Sequence, residues 1–269
     1  MTIRNRVSRV LIAGAAALAL VVGAAPARAI TDGVPDAGAH PYVGLVVFTH
    51  PDGSLTRCSG TLLAPKVFLT AGHCTFDTTS ARVWFDDTVD ISKGGVSGTP
   101  YVHPLYDDVL FLPPATHDVG VVILDKAVKM STYGALPRAG LVDSLAHSRG
   151  NHSDLYAIVG YGRLEVKPQL IRTFTRYRGD VVIKNLENAV VDGYNIQTSG
   201  NSNTNWSGST CFGDSGGPLF LDDTNVVIGI TSFGNDPNCK SSGYYYRTDI
   251  EDTRSFLDDF LTSPLGRSG

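Results

Sequence analysis

The chain has 269 residues, of which 42% are hydrophobic and 18% are charged, and its formal net charge is -4. Proteins that bind nucleic acid neutralise phosphates with lysine and arginine, so this acidic balance gives no electrostatic case for a nucleic-acid partner. The length allows a sizeable buried core, in one all-β or α/β unit or in two small packed units, and it does not choose between them.

The first 29 residues have the layout of a secretory signal peptide. Three arginines precede an uncharged run of about 16 residues, and Ala27-Arg28-Ala29 forms a small-x-small cleavage site. The run is shorter than the roughly 20 apolar residues that span a bilayer, which argues against a membrane anchor. We therefore expect residues 1–29 to be removed by a cut after Ala29 and the product to be secreted. Removal takes away four arginines and no acidic residue, so the net charge falls from -4 to -8.

The four cysteines are spaced as two local pairs, Cys58 with Cys74 and Cys211 with Cys239. An even number of cysteines in an exported chain indicates disulfides, although four cysteines allow three pairings. Each local bridge would stabilise the fold by roughly 3 kcal/mol if it is unstrained. The alternative, a zinc site, lacks the usual C-x-x-C spacing. We expect no metal and no other cofactor.

Short apolar runs follow one another from Tyr42 onward, separated by Gly, Pro, Asn and Asp. Runs such as YVGLVVF, KVFLTA and VGVVIL are typical of strands and predict an all-β sandwich or barrel. Residues 129–154 have a mixed composition and are expected to connect two halves. Residues 195–210 are polar and predict a surface loop. The tail DIEDTRSFLDDFL predicts one amphipathic helix at about 250–262, with Asp249 as its N-cap.

Residues 213–217, Gly-Asp-Ser-Gly-Gly, contain a candidate nucleophile. The pentapeptide fits the G-x-S-x-G pattern of α/β hydrolases, in which the histidine follows the serine along the chain. All seven histidines precede Ser215, so chain order excludes that family. The serine still needs a neighbouring base, because its alkoxide is not available at neutral pH without one.

His73 is the candidate base. The segment LTAGHC follows an apolar run and ends at a cysteine whose disulfide would hold the backbone of the histidine. Asp118 opens the apolar run DVGVVIL, which would place its carboxylate at the edge of a core, where a buried acid needs partners. A histidine base works best when a carboxylate holds its other nitrogen. The other histidines lie among turn residues and are expected to be exposed or locally bonded.

The order His73, Asp118, Ser215 resembles that of the trypsin/chymotrypsin-like serine proteases. SGTLLAPKVFLTAGHC is similar to the family segment with the catalytic histidine, HDVGVVIL to the one with the aspartate, and CFGDSGGPL to the one with the serine. The resemblance covers about residues 30–262. It implies two packed six-stranded antiparallel β-barrels, at about 30–138 and 155–249, then the helix, in a secreted monomer of bacterial type. Subtilisin-like enzymes use the order Asp, His, Ser, and their α/β fold does not suit so many strands.

The resemblance also implies roles for particular residues. Ser215 would attack the scissile carbonyl, His73 would take its proton and return it to the leaving amine, and Asp118 would orient His73. The backbone N–H groups of Gly213 and Ser215 would form the oxyanion hole. Ser232 would bond to Asp118. Substrates would be polypeptides, and protein inhibitors would be further partners.

By the same resemblance, Ser209 lies at the bottom of the primary specificity pocket, with Ser232, Gly234 and Gly243 around it. Without a carboxylate at position 209, a substrate Arg or Lys would be desolvated without a counter-charge, at a cost of several kcal/mol. We therefore expect a preference for apolar or aromatic residues before the cut. The short segment CKSSG leaves the placement of Gly243 open, and nearby charged residues could reach the pocket: Lys240, Asp222 and Asp236.

Members of this family are activated by a new N-terminus, typically Ile-Val-Gly-Gly, whose amine pairs with the aspartate before the catalytic serine. Here Ile-Thr-Asp-Gly stands at residues 30–33, so Ile30 and Asp214 would form the pair. Signal cleavage after Ala29 would free Ile30 directly. A cut after Ala27 would instead leave two residues to be trimmed.

Two other functions stay open. One is a catalytically silent homologue that serves as a binding module, although such proteins usually lack a triad residue and this chain has all three. The other is an esterase that uses the same triad. Cleavage of a protein chain would separate both from an endopeptidase.

Overall fold

The computed structural model describes residues 30–108, 113, 115–146, 154–166, 170–200 and 208–263. The predicted signal peptide, with its cleavage site before Ile30, lies outside the described residues and stays a prediction. No helix in the described ranges has the length and apolar character needed to span a membrane.

The first structural unit is a closed antiparallel barrel. Its strands are β2 (Val43–Thr49), β3 (Leu55–Ala64), β4 (Val67–Thr70), β5 (Ser80–Trp84), β6 (Val96–Val102) and β7 (Gly120–Leu124), hydrogen-bonded in the order β2-β3-β4-β7-β6-β5. Closure leaves no unpaired strand edge, and the alternating side chains of each strand fill the interior. Val46, Phe68 and Val122 are fully buried there. The four-residue helix α1 (Gly72–Thr75) follows β4 directly.

The second unit is an eight-stranded sheet in the order β1-β11-β8-β14-β15-β16-β13-β12. Its strands are β1 (Val34–Pro35), β8 (Tyr156–Gly160), β11 (Tyr177–Val181), β12 (Ile183–Asn185), β13 (Asn195–Thr198), β14 (Pro218–Phe220), β15 (Val227–Gly234) and β16 (Gly243–Arg247). A separate hairpin joins β9 (Arg163–Glu165) to β10 (Ile171–Arg172). The predicted all-β, two-unit fold is confirmed. The second sheet has two strands more than expected, partly because β1 adds to one edge by pairing with β11.

The prediction of a surface loop at 195–210 was wrong for its first four residues. They form β13, whose Ile196 pairs with Tyr245 of β16 and is fully buried. Pairing and burial within the sheet outweigh the polar composition of this segment. Residues 201–207 of the predicted loop lie outside the described residues.

The predicted C-terminal helix is confirmed as α3 (Glu251–Leu261), which buries Phe256 and Leu257. The prediction that Asp249 caps it was wrong, because the N-cap residue is Ile250. The Asp249 carboxylate instead accepts hydrogen bonds from Arg247 at 2.8 and 2.9 Å. Both side chains are buried, and a buried guanidinium needs a counter-charge more than an exposed helix end needs a cap. Asp249 also accepts from the amide of Val142, in the short helix α2 (Leu141–Ala146).

Both local disulfides form as expected. Cys58–Cys74 ties β3 to α1, and Cys211–Cys239 ties the segment before Ser215 to the segment after β15. The described residues contain no free cysteine. Both bridges therefore hold loops that border the candidate site.

Candidate active site

His73 and Asp118 meet because β4 and β7 are antiparallel neighbours. His73 lies in α1 just after β4, and Asp118 lies just before β7, so the end of one strand meets the start of the other. The His73 Nδ1 atom is 2.9 Å from Asp118 Oδ2, and the His73 backbone amide donates to Oδ1 at 2.8 Å. The carboxylate thus fixes both the ring and the backbone of the histidine.

Ser232, near the end of β15, brings the second unit into this contact. Its hydroxyl donates to Asp118 Oδ2 at 2.5 Å. The Asp118 side chain has no solvent exposure, whereas the His73 side chain is 28% exposed. A buried carboxylate is stable only when it is hydrogen-bonded, and Asp118 accepts from groups of both units. The site is therefore built across the junction of the two sheets.

The pKa values of the pair move in opposite directions. Burial lowers the pKa of His73, but the charge and hydrogen bond of Asp118 outweigh it, so the net pKa lies above the ordinary value. Burial raises the pKa of Asp118, but the charge and hydrogen bonds of His73, together with Ser232, bring it below the ordinary value. With the proton of the neutral ring held on Nδ1 by the carboxylate, Nε2 is left as the acceptor.

Ser215 shares a cleft of about 550 Å³ with His73. The loop that carries it, residues 211–217, is anchored to the first unit by Ser59 of β3. The Ser59 amide donates to the Ser215 carbonyl at 2.8 Å, and the Ser59 hydroxyl donates to the Gly213 carbonyl at 2.8 Å. With these carbonyls held, the amides of Gly213 and Ser215 donate to no other group among the described residues. Both N–H groups are free to bind an anion.

The same loop requires glycine at two positions. Gly213 has φ +102° and Gly216 has φ +79°, which side-chain-bearing residues rarely adopt. A Cβ on Gly216 would also lie 2.1 Å from the Thr70 hydroxyl. The glycines of Gly-Asp-Ser-Gly-Gly are therefore explained by backbone conformation and by close packing against the first unit.

Asp214 is buried below the loop that carries Ser215. It accepts hydrogen bonds from the amides of Gly162, at 2.7 Å, and Cys211, at 2.9 Å. Burial raises its pKa to about 6, although these bonds and the charge of Arg57 act in the other direction. Ile30 is also fully buried, and Thr31 forms a backbone bridge with Ser209.

In this chain Ile30 is joined to Ala29 and so carries no free amine. The hydrogen bonds that the described structure gives Asp214 do not include Ile30. The raised pKa is what a buried carboxylate shows when no cation faces it closely.

A second cavity, of about 470 Å³, lies on the other side of Ser215. Ser215, Ser232 and Gly234 line it, together with Asp236 and the paired Cys211 and Cys239. The lining also includes residues that the sequence did not single out: Thr210, Phe212, Thr231, Phe233, Asn235 and Pro237. Only the Ser242 carbonyl, at 3.8 Å, lies near the position that a Cβ on Gly234 would take, so this wall is open.

Ser209 and Gly243 are not among the described residues that line this cavity. The Ser209 hydroxyl donates to the Ser241 carbonyl at 3.0 Å, and Gly243 pairs with Gly234 across β15 and β16. A Cβ on Gly243 would meet the Tyr245 hydroxyl at 3.0 Å. Of the predicted pocket residues, Ser232 and Gly234 therefore line the cavity, and Gly243 is the strand partner of Gly234.

Of the three charged residues considered for the pocket, Asp236 reaches its lining. The Asp236 carboxylate accepts hydrogen bonds from the amides of Asn238 and Lys240, both at 3.0 Å. These bonds hold the loop before Cys239 and use both carboxylate oxygens. Lys240 and Asp222 are not among the described residues that line the cavity.

Two groups of side chains among the described residues have the spacing of metal ligands, with ligand atoms within 4.8 Å of one another. One group is Cys58, His73 and Cys74, but both sulfurs are bound in a disulfide. The other is His103, His117 and Asp252, in which His117 Nδ1 lies 2.9 Å from an Asp252 oxygen. His103 is buried and is locally bonded, as one of the two expectations had it, since its Nδ1 atom accepts from the Leu105 amide at 3.2 Å. Its ring also lies against Phe256 of α3.

Sequence reasoning missed three arginines that line the cleft of His73 and Ser215. Arg57 precedes Cys58, Arg163 is in β9, and Arg172 is in β10. Arg163 and Arg172 pair across the β9–β10 hairpin, whereas Arg57 lies far earlier in the chain, and none of the three lies in a recognisable motif. Only the position of Arg57 beside a cysteine of the site could have indicated it.

The family model of Trypsin matches residues 30–253. Collagenase of Hypoderma lineatum is 25% identical over 217 residues, which are 76% of this chain and 76% of that protein. Trypsin of Saccharopolyspora erythraea is 31% identical over 202 residues, which are 72% of this chain and 82% of that protein. The solved structure of HL collagenase superposes with a TM-score of 0.67 at 21% identity, covering 87% of this chain and 97% of that one.

The organisms of these relatives differ, and the comparisons do not support assigning the chain to a bacterial type. The family match extends over most of the chain, and the fold of the two sheets agrees with that of a solved member. The chain therefore belongs to the trypsin family and is a serine endopeptidase.

Proposed function

We propose that this protein is a secreted endopeptidase that cleaves polypeptides through an acyl-enzyme on Ser215. The observation that carries the proposal is the buried Asp118, bonded to His73 Nδ1 and to Ser232, beside a cleft that His73 shares with Ser215. Nucleophile, base and orienting acid in one cleft are the parts that acyl transfer requires. Two disulfides fit the oxidising compartment of an exported protein.

The chemical steps follow from these positions. The Ser215 oxygen bonds to the scissile carbonyl carbon while its proton passes to His73 Nε2. The carbon–nitrogen bond then breaks, and His73 gives the proton to the leaving amine. Water, deprotonated by His73, releases the acyl group in the same way. Asp118 stabilises the imidazolium in both halves.

The amides of Gly213 and Ser215 are the proposed oxyanion donors. Neither amide donates to any described group, while Ser59 holds the carbonyls of the same two residues toward the first unit. Donors fixed before the reaction stabilise the developing negative charge without reorganising, and losing one typically costs about 10²–10³ in rate.

We propose that the second cavity binds an apolar or aromatic side chain before the cut. Phe233, Pro237 and the open wall at Gly234 support this proposal. The one acidic side chain in the described lining, Asp236, has its carboxylate occupied by two backbone amides. An incoming Arg or Lys would lose its hydration, and the Asp236 carboxylate, held in its own loop by these bonds, would compensate only part of that cost.

A peptide library tests this preference. We expect kcat/KM for cleavage after Phe, Tyr or Leu to exceed that for cleavage after Lys or Arg by about tenfold or more. The reason is that the cost of desolvating the charged side chain lowers kcat/KM for Lys and Arg. Predominant cleavage after Lys or Arg would contradict the proposal. The Asp236→Asn variant would then show whether that carboxylate is the counter-charge.

Activation is proposed to depend on a free amine at Ile30 that pairs with Asp214. A form that begins at Ile30 is expected to exceed a form that keeps Ala29 by at least about 10²–10³ in kcat, because Asp214 lies between the two oxyanion donors. The amine has a reference pKa of about 7.7–8.0, which pairing raises, so activity should be lost only above pH 8.

N-terminal sequencing of the secreted active form identifies the bond that is cut. In the form that begins at Ile30, the Asp214→Asn variant is expected to lower kcat by about the same factor as the retention of Ala29, because both remove the proposed pair. A fully active species beginning at Arg28 would contradict a requirement for the free Ile30 amine.

The experiment that tests the function uses the secreted wild-type protein with three substrates: a denatured protein chain, a peptide amide and the matching ester. An endopeptidase cuts all three, and a fluorophosphonate probe should label Ser215, as found by peptide mass spectrometry. Ester hydrolysis without cleavage of the amide and the protein would support the esterase. Inertness toward all three, with no labelling, would support the binding module.

A further inference from the structure

The cleft that contains His73 and Ser215 carries an unbalanced positive charge. Arg57, Arg163 and Arg172 line it, and no acidic residue is among its described lining residues. Acidic residues outnumber basic ones in the chain, 26 to 22, so this concentration is not explained by composition. Like charges in one cleft repel one another unless an anion joins them.

These arginines lack the partners that other arginines of the chain have. Arg176, Arg178 and Arg247 each pair with aspartates. Within the ranges that the structure describes, none of the three cleft arginines forms an ion pair. Their positive charge is therefore left to face the cleft.

Arg57 is the most constrained of the three. Its Nη1 atom donates to the Thr173 carbonyl at 2.7 Å, whereas its Nη2 atom is buried and has no hydrogen-bond partner among the described residues. Burial and the neighbouring charges of Arg163 and Arg172 lower the pKa of Arg57, and the charge of Asp214 offsets part of this effect. A buried guanidinium N–H without a partner costs energy that an incoming acceptor would recover.

Aromatic rings hold two of the guanidinium groups in place. The Arg57 carbon Cζ lies 5.1 Å from the centre of the Phe174 ring, and Arg163 Cζ lies 4.9 Å from the centre of the Phe212 ring. Stacking uses the faces of the guanidinium groups and leaves the N–H edges for hydrogen bonds. Planar edges of this kind suit the two oxygens of a carboxylate.

The position of His73 indicates which part of a substrate binds in this cleft. Ser215 lines both cavities, whereas His73 lines only the cleft with the arginines. On the proposed function, His73 gives its proton to the leaving amine, so the chain after the scissile bond must pass on the His73 side. We infer that Arg57, Arg163 and Arg172 bind acidic side chains within the first three residues after the cut, so that the enzyme prefers polypeptides with Asp or Glu there.

The inference is tested with internally quenched peptides that are identical before the cut and differ at the second and third positions after it. We expect kcat/KM for the peptide with two Glu to exceed that of its Gln twin by about tenfold at low ionic strength, and the Lys twin to be slower still. Salt should reduce the Glu advantage, because it screens partly exposed charges. Equal values for the Glu and Gln peptides would overturn the inference.

Variants then connect the preference to the arginines. The double variant Arg163→Gln, Arg172→Gln should lose most of the Glu-to-Gln ratio, while Arg138→Gln, at an exposed arginine just before α2 that lines neither cavity, should keep it. Arg57 is left in place because it holds Thr173. An unchanged ratio in the double variant would also overturn the inference, even if both variants fold and cleave peptides.

A p-nitroanilide with the same acyl part separates this inference from the proposed function on which it rests. Its leaving group has no residues to enter the arginine cleft. Hydrolysis of the anilide without a Glu preference in the peptides refutes the inference alone. Failure to hydrolyse the anilide and every peptide refutes both.

Discussion

Replacing Ser215 with Ala is expected to lower kcat by about a millionfold, the effect of removing the nucleophile from a triad of this kind. The alanine leaves His73, Asp118 and the oxyanion amides in place, but no oxygen remains to form the acyl-enzyme. The measurement is hydrolysis of a peptide amide by the purified mature form, together with labelling by a fluorophosphonate probe.

The control for Ser215→Ala is Ser255→Ala, which removes an exposed hydroxyl from α3 that bonds only to carbonyls of its own helix. This control should keep wild-type kcat. Thermal melting of both variants close to that of the wild type would show that the fold is intact. If Ser215→Ala retained more than a tenth of wild-type kcat, acylation of Ser215 would be excluded.

The second large effect is expected from Asp118→Asn, with a fall in kcat of about 10⁴. The asparagine keeps one acceptor oxygen, which can serve the His73 amide at the position of Oδ1. Its NH₂ group then takes the position of Oδ2 and donates where the carboxylate accepted from the His73 ring and the Ser232 hydroxyl. His73 would then carry its proton on Nε2, so this nitrogen could no longer take the proton of Ser215. Volume and shape are conserved, so the loss should appear in kcat and not in folding.

The pH profile gives an independent check of this role. The net pKa of His73 is raised, and the enzyme is active when the ring is neutral, so wild-type kcat/KM should fall as the pH drops through a value above about 6.5. Asp118→Asn removes the charge that raises this pKa, so the acidic limb should move to lower pH. Ser232→Ala keeps the charge and should produce a smaller loss of kcat. An acidic limb that does not move in Asp118→Asn would contradict the pairing of His73 with Asp118.

Much of the architecture and the candidate triad could be predicted because the information is local. LTAGHC and DVGVVIL each combine an apolar strand with a polar residue at its end, and Gly-Asp-Ser-Gly-Gly combines a serine with glycines that its turn requires. The disulfides are equally local, since each joins cysteines fewer than 30 residues apart. Strand periodicity, turn residues and short loops are patterns of a few neighbouring residues, so they can be predicted from the sequence alone.

Features that depend on contacts between distant segments could not be predicted. The polar segment Asn195–Thr198 forms a buried strand because β16 pairs with it. Asp249 does not cap α3 because its carboxylate pairs with the buried guanidinium of Arg247. Neither partner is indicated by the composition of the segment itself. Local propensity is a weak preference that burial and pairing override.

The sequence by itself determined the chain order of His73, Asp118 and Ser215, the all-β class and the cysteine pairs. Only the tertiary structure decided what surrounds the candidate active site: Asp236 at the wall of one cavity, and in the other Arg57 of the first barrel together with Arg163 and Arg172 of the β9–β10 hairpin. A motif is preserved in a few neighbouring residues because its backbone geometry is local. A charged surface is formed by side chains from segments that come together only when the two sheets pack. It can therefore be identified only in the folded structure.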